Sequence, residues 1–391
     1  MSGASLYDVI VVGAGSIGMS AGYHLAARGL RTLLIDAFDP PHTGGSHHGE
    51  PRLIRHVYDG GAHYVRLALR ADALWRELED RTGEKLLERS GVLNVSDPDV
   101  HSFDGRFAYA AQEGVRYETL DAKEISRRWS GWTVPDHFSG LYEPDAGYLF
   151  SERCVAAYRR EALAAGAELL TDTAVLGIEA RKGGLAVKTS RGEFAAGKVI
   201  VSAGAWFKSL EPSVKLPIRA VRKVVGWFEA DERLYGAGHL PGFTFGGPSG
   251  GYYGFPSIGG AGVKIGRHDG GRPWQPGERF EPFGAYPEDE ADLRAALREF
   301  LPGAEGRLLH GAACKYELSP DDQFIIDAHP ELPGVLLAGG FSGHGFKFAS
   351  AIGEALSEWT QSGIPPARPF AVLALPFPVG YRSFNPIRRS F

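Results

Sequence analysis

Residues 7–36 restrict the fold of this chain more than any other stretch. Tyr7-Asp8-Val9-Ile10-Val11-Val12 reads as a buried strand, and Gly13-Ala14-Gly15-Ser16-Ile17-Gly18 follows it and opens a helical run to Arg28. Gly29 is placed to stop that helix in a left-handed conformation, and Thr32-Leu33-Leu34-Ile35 is a second apolar strand that ends on Asp36. Strand, glycine turn, helix, strand and acid within about 30 residues make the pattern of a dinucleotide-binding unit. Gly13 permits the tight turn, Gly15 lets the backbone approach a pyrophosphate, and Gly18 lets the helix pack closely on the strand. The helix N-terminus offers free N–H groups to phosphate. Asp36 can accept hydrogen bonds from ribose hydroxyls and repels a 2′-phosphate. The motif alone does not separate NAD from FAD.

The rest of the chain alternates in character. Tyr64 to Glu79 reads as a helix and Val92-Leu93-Asn94-Val95 as a short strand. Ser151 is placed to cap a helix that runs to about Ala165. Leu185–Thr189 and Glu193–Ala195 flank Ser190-Arg191-Gly192, a hairpin signal, and Val199–Ser202 reads as a separate buried strand. From Val221 to His268 the pattern is β-rich and glycine-rich. The α/β pattern then returns, with a strand at Val335–Ala338, a glycine loop at 339–345 and a helix from Lys347 to Gln361. The Pro- and aromatic-rich tail, Pro365 to Phe391, is expected to pack on the surface. The 391 residues suggest two domains, a discontinuous nucleotide-binding domain and a second domain built from β-rich insertions.

Composition removes several function classes. The formal net charge is −5, which disfavours a nucleic-acid binder. No run approaches 18 apolar residues, so no membrane span is expected, and Met1–Asp8 carries no secretory signal. Two cysteines, Cys154 and Cys314, exclude a disulfide framework and point to a reducing cytoplasm. The 42 basic residues divide into 11 Lys and 31 Arg, so a lysine in an apolar or glycine-rich stretch calls for an explanation. Lys264 is such a residue. Strand alternation puts it on one face with Gly266 and His268, spanning about 13 Å, close to the length of a flavin ring system. Cys314 and Tyr316 share one strand face, with Lys315 on the other. Arg52 and Arg55 are three apart, and on a helical turn both would face one way. His42, His47, His48 and His56 lack the spacing of a zinc site, and no metal is expected. Gly340-Phe341-Ser342-Gly343-His344-Gly345-Phe346-Lys347 enters a helix N-terminus, a second anion-seeking loop.

These segments together resemble the monomeric sarcosine oxidase and N-methyltryptophan oxidase family of the glycine/D-amino-acid oxidase superfamily. The resemblance rests on Gly13–Gly18 with Asp36, on Gly45–Gly49 with Arg52–His56, and on Tyr252–Pro256. It rests further on Lys264 with His268, Cys314 with Tyr316, and Phe341–Lys347, and it runs from about residue 7 to about 360. It implies an α/β protein, α+β overall. A discontinuous Rossmann-like FAD-binding domain would comprise 1–88, 150–215 and 320–391, and an inserted β-rich substrate domain 89–149 and 216–319. It also implies FAD joined through its 8α-methyl group to Cys314. Arg55 and Lys347 would hold the substrate carboxylate, with Tyr316 and Thr244 completing the substrate pocket. Lys264 would promote reaction with oxygen beside flavin N5, and Arg52, His48, His268 and Tyr253 would line the ring or the substrate. The cofactor set is Gly13, Ala14, Gly15, Ser16, Ile17, Gly18, Asp36, Ala37, Ser46, His47, Val175, Gly204, Gly343, His344 and Gly345.

The implied reaction is oxidative demethylation of sarcosine and related small N-methyl amino acids by O2. It releases formaldehyde, glycine and H2O2 from a cytoplasmic monomer with no nucleic-acid or membrane partner. The alternatives are an oxidase of a larger or cyclic secondary amine and an FAD dehydrogenase with another electron acceptor. Two features depart from the family pattern. Lys315 stands where an apolar residue is expected and points away from the flavin side, where it should matter little. Thr244 lies in a segment that shapes the pocket.

Overall fold

The computed structural model describes residues 6–365, and the chain in it is organised around two large sheets. The expectation about the tail concerns residues that, from 366 onward, lie outside the described ones. The first sheet grows from β1 (Leu6–Val12), which is parallel to β2 (Thr32–Ile35) on one side and to Gly192–Val201 on the other. Val9–Val12 and all of β2 are buried, because helices cover this parallel sheet and leave no polar face. Helix α1 (Ser16–Ala27) packs against the helices Ser151–Ala164 and Ala349–Ser362, and is therefore apolar nearly all round. At one crossing a Cβ on Gly353 would lie 2.3 Å from Ser20 Oγ and 2.6 Å from Ala21 N, so the helices meet this closely only because position 353 has no side chain.

Three local expectations are corrected. Val199–Ser202 is not a separate strand. The hairpin strand continues as one ten-residue element, Gly192–Val201. Its first half pairs antiparallel with Gly184–Thr189 and its end pairs parallel with Val335–Gly339, while β1 holds its other edge. The apparent break near Lys198 is the point at which one edge changes partner. Ser151 is the first helical residue rather than the cap. Phe150 occupies the cap, and the Ser151 hydroxyl donates to Glu152 Oε2 at 3.0 Å. The last helix begins at Ala349, after a 3-10 turn at Phe346–Phe348 that contains Lys347.

The second sheet has nine strands. Val92–Ser96, Glu118–Asp121 and Ser139–Glu143 precede the helix Ser151–Ala164 in the chain. Arg219–Phe228, Gly242–Gly247, Gly250–Phe255, Val263–Arg267, Arg272–Pro273 and Leu308–Leu318 follow Gly192–Val201. Its core is aromatic, with Phe228, Phe243, Phe245, Phe300 and Trp132 all buried. A small three-stranded sheet joins Arg52–Ile54, Gly147–Leu149 and Leu87–Glu88. Among the described residues no helix is long and apolar enough to cross a membrane.

Candidate active site

A cavity of about 390 Å³ runs from the turn after β1 to the second sheet. Its first arm is backbone-lined. A Cβ on Gly13 (φ +87°) would lie 2.5 Å from Ser202 O, and one on Gly18 would lie 1.9 Å from Gly13 O, so both positions exclude side chains. Gly15 differs. The nearest atom to a Cβ there is His47 Nδ1 at 3.7 Å, which leaves the backbone open to the cavity it lines. No side chain caps α1, so its first N–H groups are available to a phosphate. The Asp36 carboxylate is oriented by the N–H groups of Ala14 (2.7 Å) and Phe38 (2.9 Å), and it also lines the cavity. Burial pulls His47 down to about 3, so its neutral ring accepts from His42 N at 3.0 Å. An open phosphate-seeking turn, a fixed acid and a long walled cleft fit a dinucleotide such as FAD.

At the far end the expected residues converge. Arg52 and Arg55 do not share a helical turn. Arg52–Ile54 is a strand, and Arg55 lies just beyond it. Both nevertheless line the cavity, because the short strand ends before alternation separates them. The Arg52 guanidinium donates to the carbonyls of Ser46 (2.9 Å), His48 (2.6 Å), Gly49 (2.7 Å) and Pro51 (3.1 Å). Lys264 Nζ reaches the same loop from the second sheet, donating to Gly49 O (2.5 Å) and Pro51 O (3.0 Å). It lies over the rings of Phe255 (4.9 Å) and Trp227 (5.3 Å). Burial first, and Arg52 second, push its pKa well below the usual lysine range.

Arg55 is held by Asn94 Oδ1 at 2.8 Å, and Lys347 Nζ donates to Tyr58 Oη (2.8 Å) and His344 O (3.0 Å). Both cations are more than nine-tenths buried and line the cavity, and among the described residues neither has a salt-bridged carboxylate. His268 is drawn down to about 3 by burial and then by Lys223, so it is neutral. Tyr316 Oη donates to Tyr253 Oη at 3.3 Å above the same floor.

Most of the expected residues line the cavity. Ala14, Gly18, His48, Lys264 and Cys314 lie behind the lining. Cys314 is 4% exposed on the strand Leu308–Leu318, directly opposite Lys223. Its sulfur is within electrostatic reach of Lys223, Lys264, Lys315, Tyr253 and Tyr316. Cys154 is fully buried in a helix, and burial raises its thiol well above the ordinary value. Lys315 does point away from Tyr316, yet it is buried, with Nζ 3.7 Å from the Phe280 ring centre and 5.1 Å from that of Trp274.

Four polar residues of the site were not singled out from the sequence. Lys223 could have been, by the same lysine scarcity that marks Lys264, since it stands in Val221-Arg222-Lys223-Val224-Val225. Asn94, Arg106 and Glu317 lie in ordinary strand or helix contexts without a local signal. Glu317 lines the cavity, and burial lifts its carboxyl to about 8.

Residues 8–359 match the FAD dependent oxidoreductase family. The chain belongs to that family. Among the relatives of this FAD-dependent oxidoreductase is the monomeric sarcosine oxidase of Bacillus sp. (strain B-0618). The two are 48% identical over 361 residues, 91% of this chain and 93% of the relative. The N-methyl-L-tryptophan oxidase of Yersinia pestis (strain Pestoides F) is 44% identical over 357 residues, 91% of this chain and 95% of the relative. Among solved structures, the open form of NikD, an unusual amino acid oxidase essential for nikkomycin biosynthesis, superposes with a TM-score of 0.80. It is 26% identical and covers 93% of this chain and 96% of that one.

Proposed function

We propose that this FAD-dependent oxidoreductase oxidatively demethylates small N-methyl amino acids, sarcosine first, with O2 as acceptor, releasing formaldehyde, the primary amino acid and H2O2. The observation that carries the reading is the Arg55–Lys347 pair, two buried cations that line the cavity and have no salt-bridged carboxylate among the described residues. A substrate carboxylate supplies the missing partner, with the guanidinium adding forked geometry. FAD held in this cavity would supply the redox chemistry, acceptance of a hydride equivalent from the N-methyl C–H bond and its passage to oxygen. The residues of the chain do the rest. Arg55 and Lys347 fix the acid end, so the amine and its methyl group are presented in one orientation. Two cations with a neutral His268 disfavour an ammonium beside them, so the secondary amine binds as its free base. Tyr253, Tyr316 and Phe255 wall the pocket against water.

The Lys264 ammonium, held by two carbonyls, favours transfer of negative charge to oxygen. Cys314 is the attachment point for the flavin. The buried Lys223, Lys264 and Lys315 lie within electrostatic reach of its sulfur, which supports this role. The interleaved two-domain division is supported by the two sheets, and the relatives named monomeric support a monomer. Two buried, unpaired cysteines suit the cytoplasm. A peroxide assay in air across sarcosine, proline and pipecolate tests the reading. Sarcosine should give the largest kcat/KM, preference for a cyclic amine would replace the substrate assignment, and no peroxide from any of them would overturn the oxidase.

A further inference from the structure

Asn94 links the carboxylate clamp to a second region of the cavity. It is 1% exposed and stands opposite Thr244 in the parallel pairing of Val92–Ser96 with Gly242–Gly247. Its Oδ1 accepts from Arg55 (2.8 Å) and from Thr244 Oγ1 (2.9 Å), and its Nδ2 donates to Leu141 O (3.2 Å). A guanidinium can only donate, so Arg55 fixes which end of this amide is oxygen. The Thr244 proton is therefore committed to Asn94, and Thr244 offers the cavity lone pairs rather than a donor.

Charge narrows the choice further. Arg106 is 2% exposed and lines the same region, donating to Asp59 Oδ2 (2.9 Å) and contacting His101 Nε2 (2.7 Å). Among the described residues, Arg55, Lys347 and Arg106 bring positive charge to the clamp. The carboxylates are Asp59 and Glu143, the latter accepting from the N–H groups of His56 (2.6 Å) and Val57 (3.0 Å). Burial keeps His101, His268 and His344 neutral.

We infer that the cavity beyond the Arg55–Lys347 pair, between Thr244, Ser96 and Arg106, is a subsite for a short, uncharged substrate side chain ending in an O–H or N–H donor. The substrate class then extends from sarcosine to N-methyl amino acids with a hydroxyl or carboxamide side chain. This rests on the oxidase reading above. A second carboxylate brings only acceptors to the Thr244 lone pairs. A side-chain ammonium meets Arg55 and Arg106. An isosteric alkyl group leaves the Thr244 lone pairs without a donor.

Two isosteric pairs test the subsite in the flavin-loaded enzyme, with anaerobic bleaching of the flavin as the readout. N-methyl-L-threonine should exceed N-methyl-L-valine in kcat/KM by about tenfold or more, and N-methyl-L-asparagine should exceed N-methyl-L-aspartate by about a hundredfold. In Thr244→Val the threonine-to-valine ratio should fall to about one. If sarcosine bleaches the flavin but the parent enzyme shows ratios near one or inverted, the subsite is wrong and the oxidase stands. If sarcosine and all four amino acids fail to bleach it, the oxidase reading itself is wrong and the subsite falls with it.

Discussion

Replacing Lys264 by Met should separate two half-reactions that the proposed roles give to different groups. The ammonium donates to Gly49 O and Pro51 O, and Arg52 donates to the same two carbonyls at 2.7 and 3.1 Å. The loop therefore keeps its anchor in the variant, and the loss to the fold is confined to hydrogen bonds of about 1–3 kcal/mol. Binding of an amino acid, which the proposal gives to Arg55 and Lys347, should be left intact. What disappears is a fixed charge in a dry site, which contributes about 3–4 kcal/mol, or two to three decades, when negative charge develops on a small acceptor. Stopped-flow absorbance of the flavin measures both steps on one sample. Anaerobic bleaching by sarcosine should stay within about tenfold of the parent, and reoxidation in air should slow at least about a hundredfold. The parent should also show a pH limb. Burial and Arg52 hold the Lys264 pKa well below the usual lysine range, so fast reoxidation is present below that pKa and lost as pH rises through it. The Met variant should lack the limb. If reduction collapses while reoxidation stays fast, Lys264 serves substrate binding and the reasoning fails.

Other consequences are equally specific. Acid-precipitated protein should stay yellow, Cys314→Ser should release its flavin on denaturation, and Cys154→Ser should retain it, since only a reachable thiolate can form the bond. Arg55→Met or Lys347→Met should weaken amino-acid substrates by about one to two decades and leave a secondary amine without a carboxylate almost unaffected. Equal losses for both substrate types, measured as kcat/KM, would make the two residues structural. Glu317→Gln should stabilise the protein with rising pH. The folded carboxyl titrates near 8 rather than 4.5, so its contribution to stability is full below 4.5 and lost as pH rises through 8. Urea unfolding should show the variant's advantage growing by about 4 kcal/mol between pH 5 and pH 9.

What the sequence disclosed follows from how local each signal is. β1, α1 and β2 were legible because period, glycine turn and acid fall within one short segment. The Gly192–Val201 strand read as two pieces because one of its edges changes partner midway, a non-local fact. Arg52 and Arg55 were recognised as a pair, yet only the short strand end brings both onto the cavity wall. Lysine scarcity marks Lys264, which sits among glycines, and the same scarcity passes over Lys223, which does not. Asn94 and Arg106 carry no local mark. Their importance arises when separate strands and loops place them against Arg55, Thr244 and Asp59. Lys315 shows the converse, an odd residue in a strand whose charge the fold absorbs against aromatic rings.

The most direct test of the oxidative demethylation is its stoichiometry. The flavin-loaded enzyme is mixed with a limiting amount of sarcosine in air-saturated buffer, and oxygen uptake, H2O2 and formaldehyde are measured together. One equivalent of each per sarcosine consumed is expected, with glycine as the remaining product. Sarcosine consumed with formaldehyde but without oxygen uptake or peroxide would contradict it, because the electrons would then leave to an acceptor other than O2.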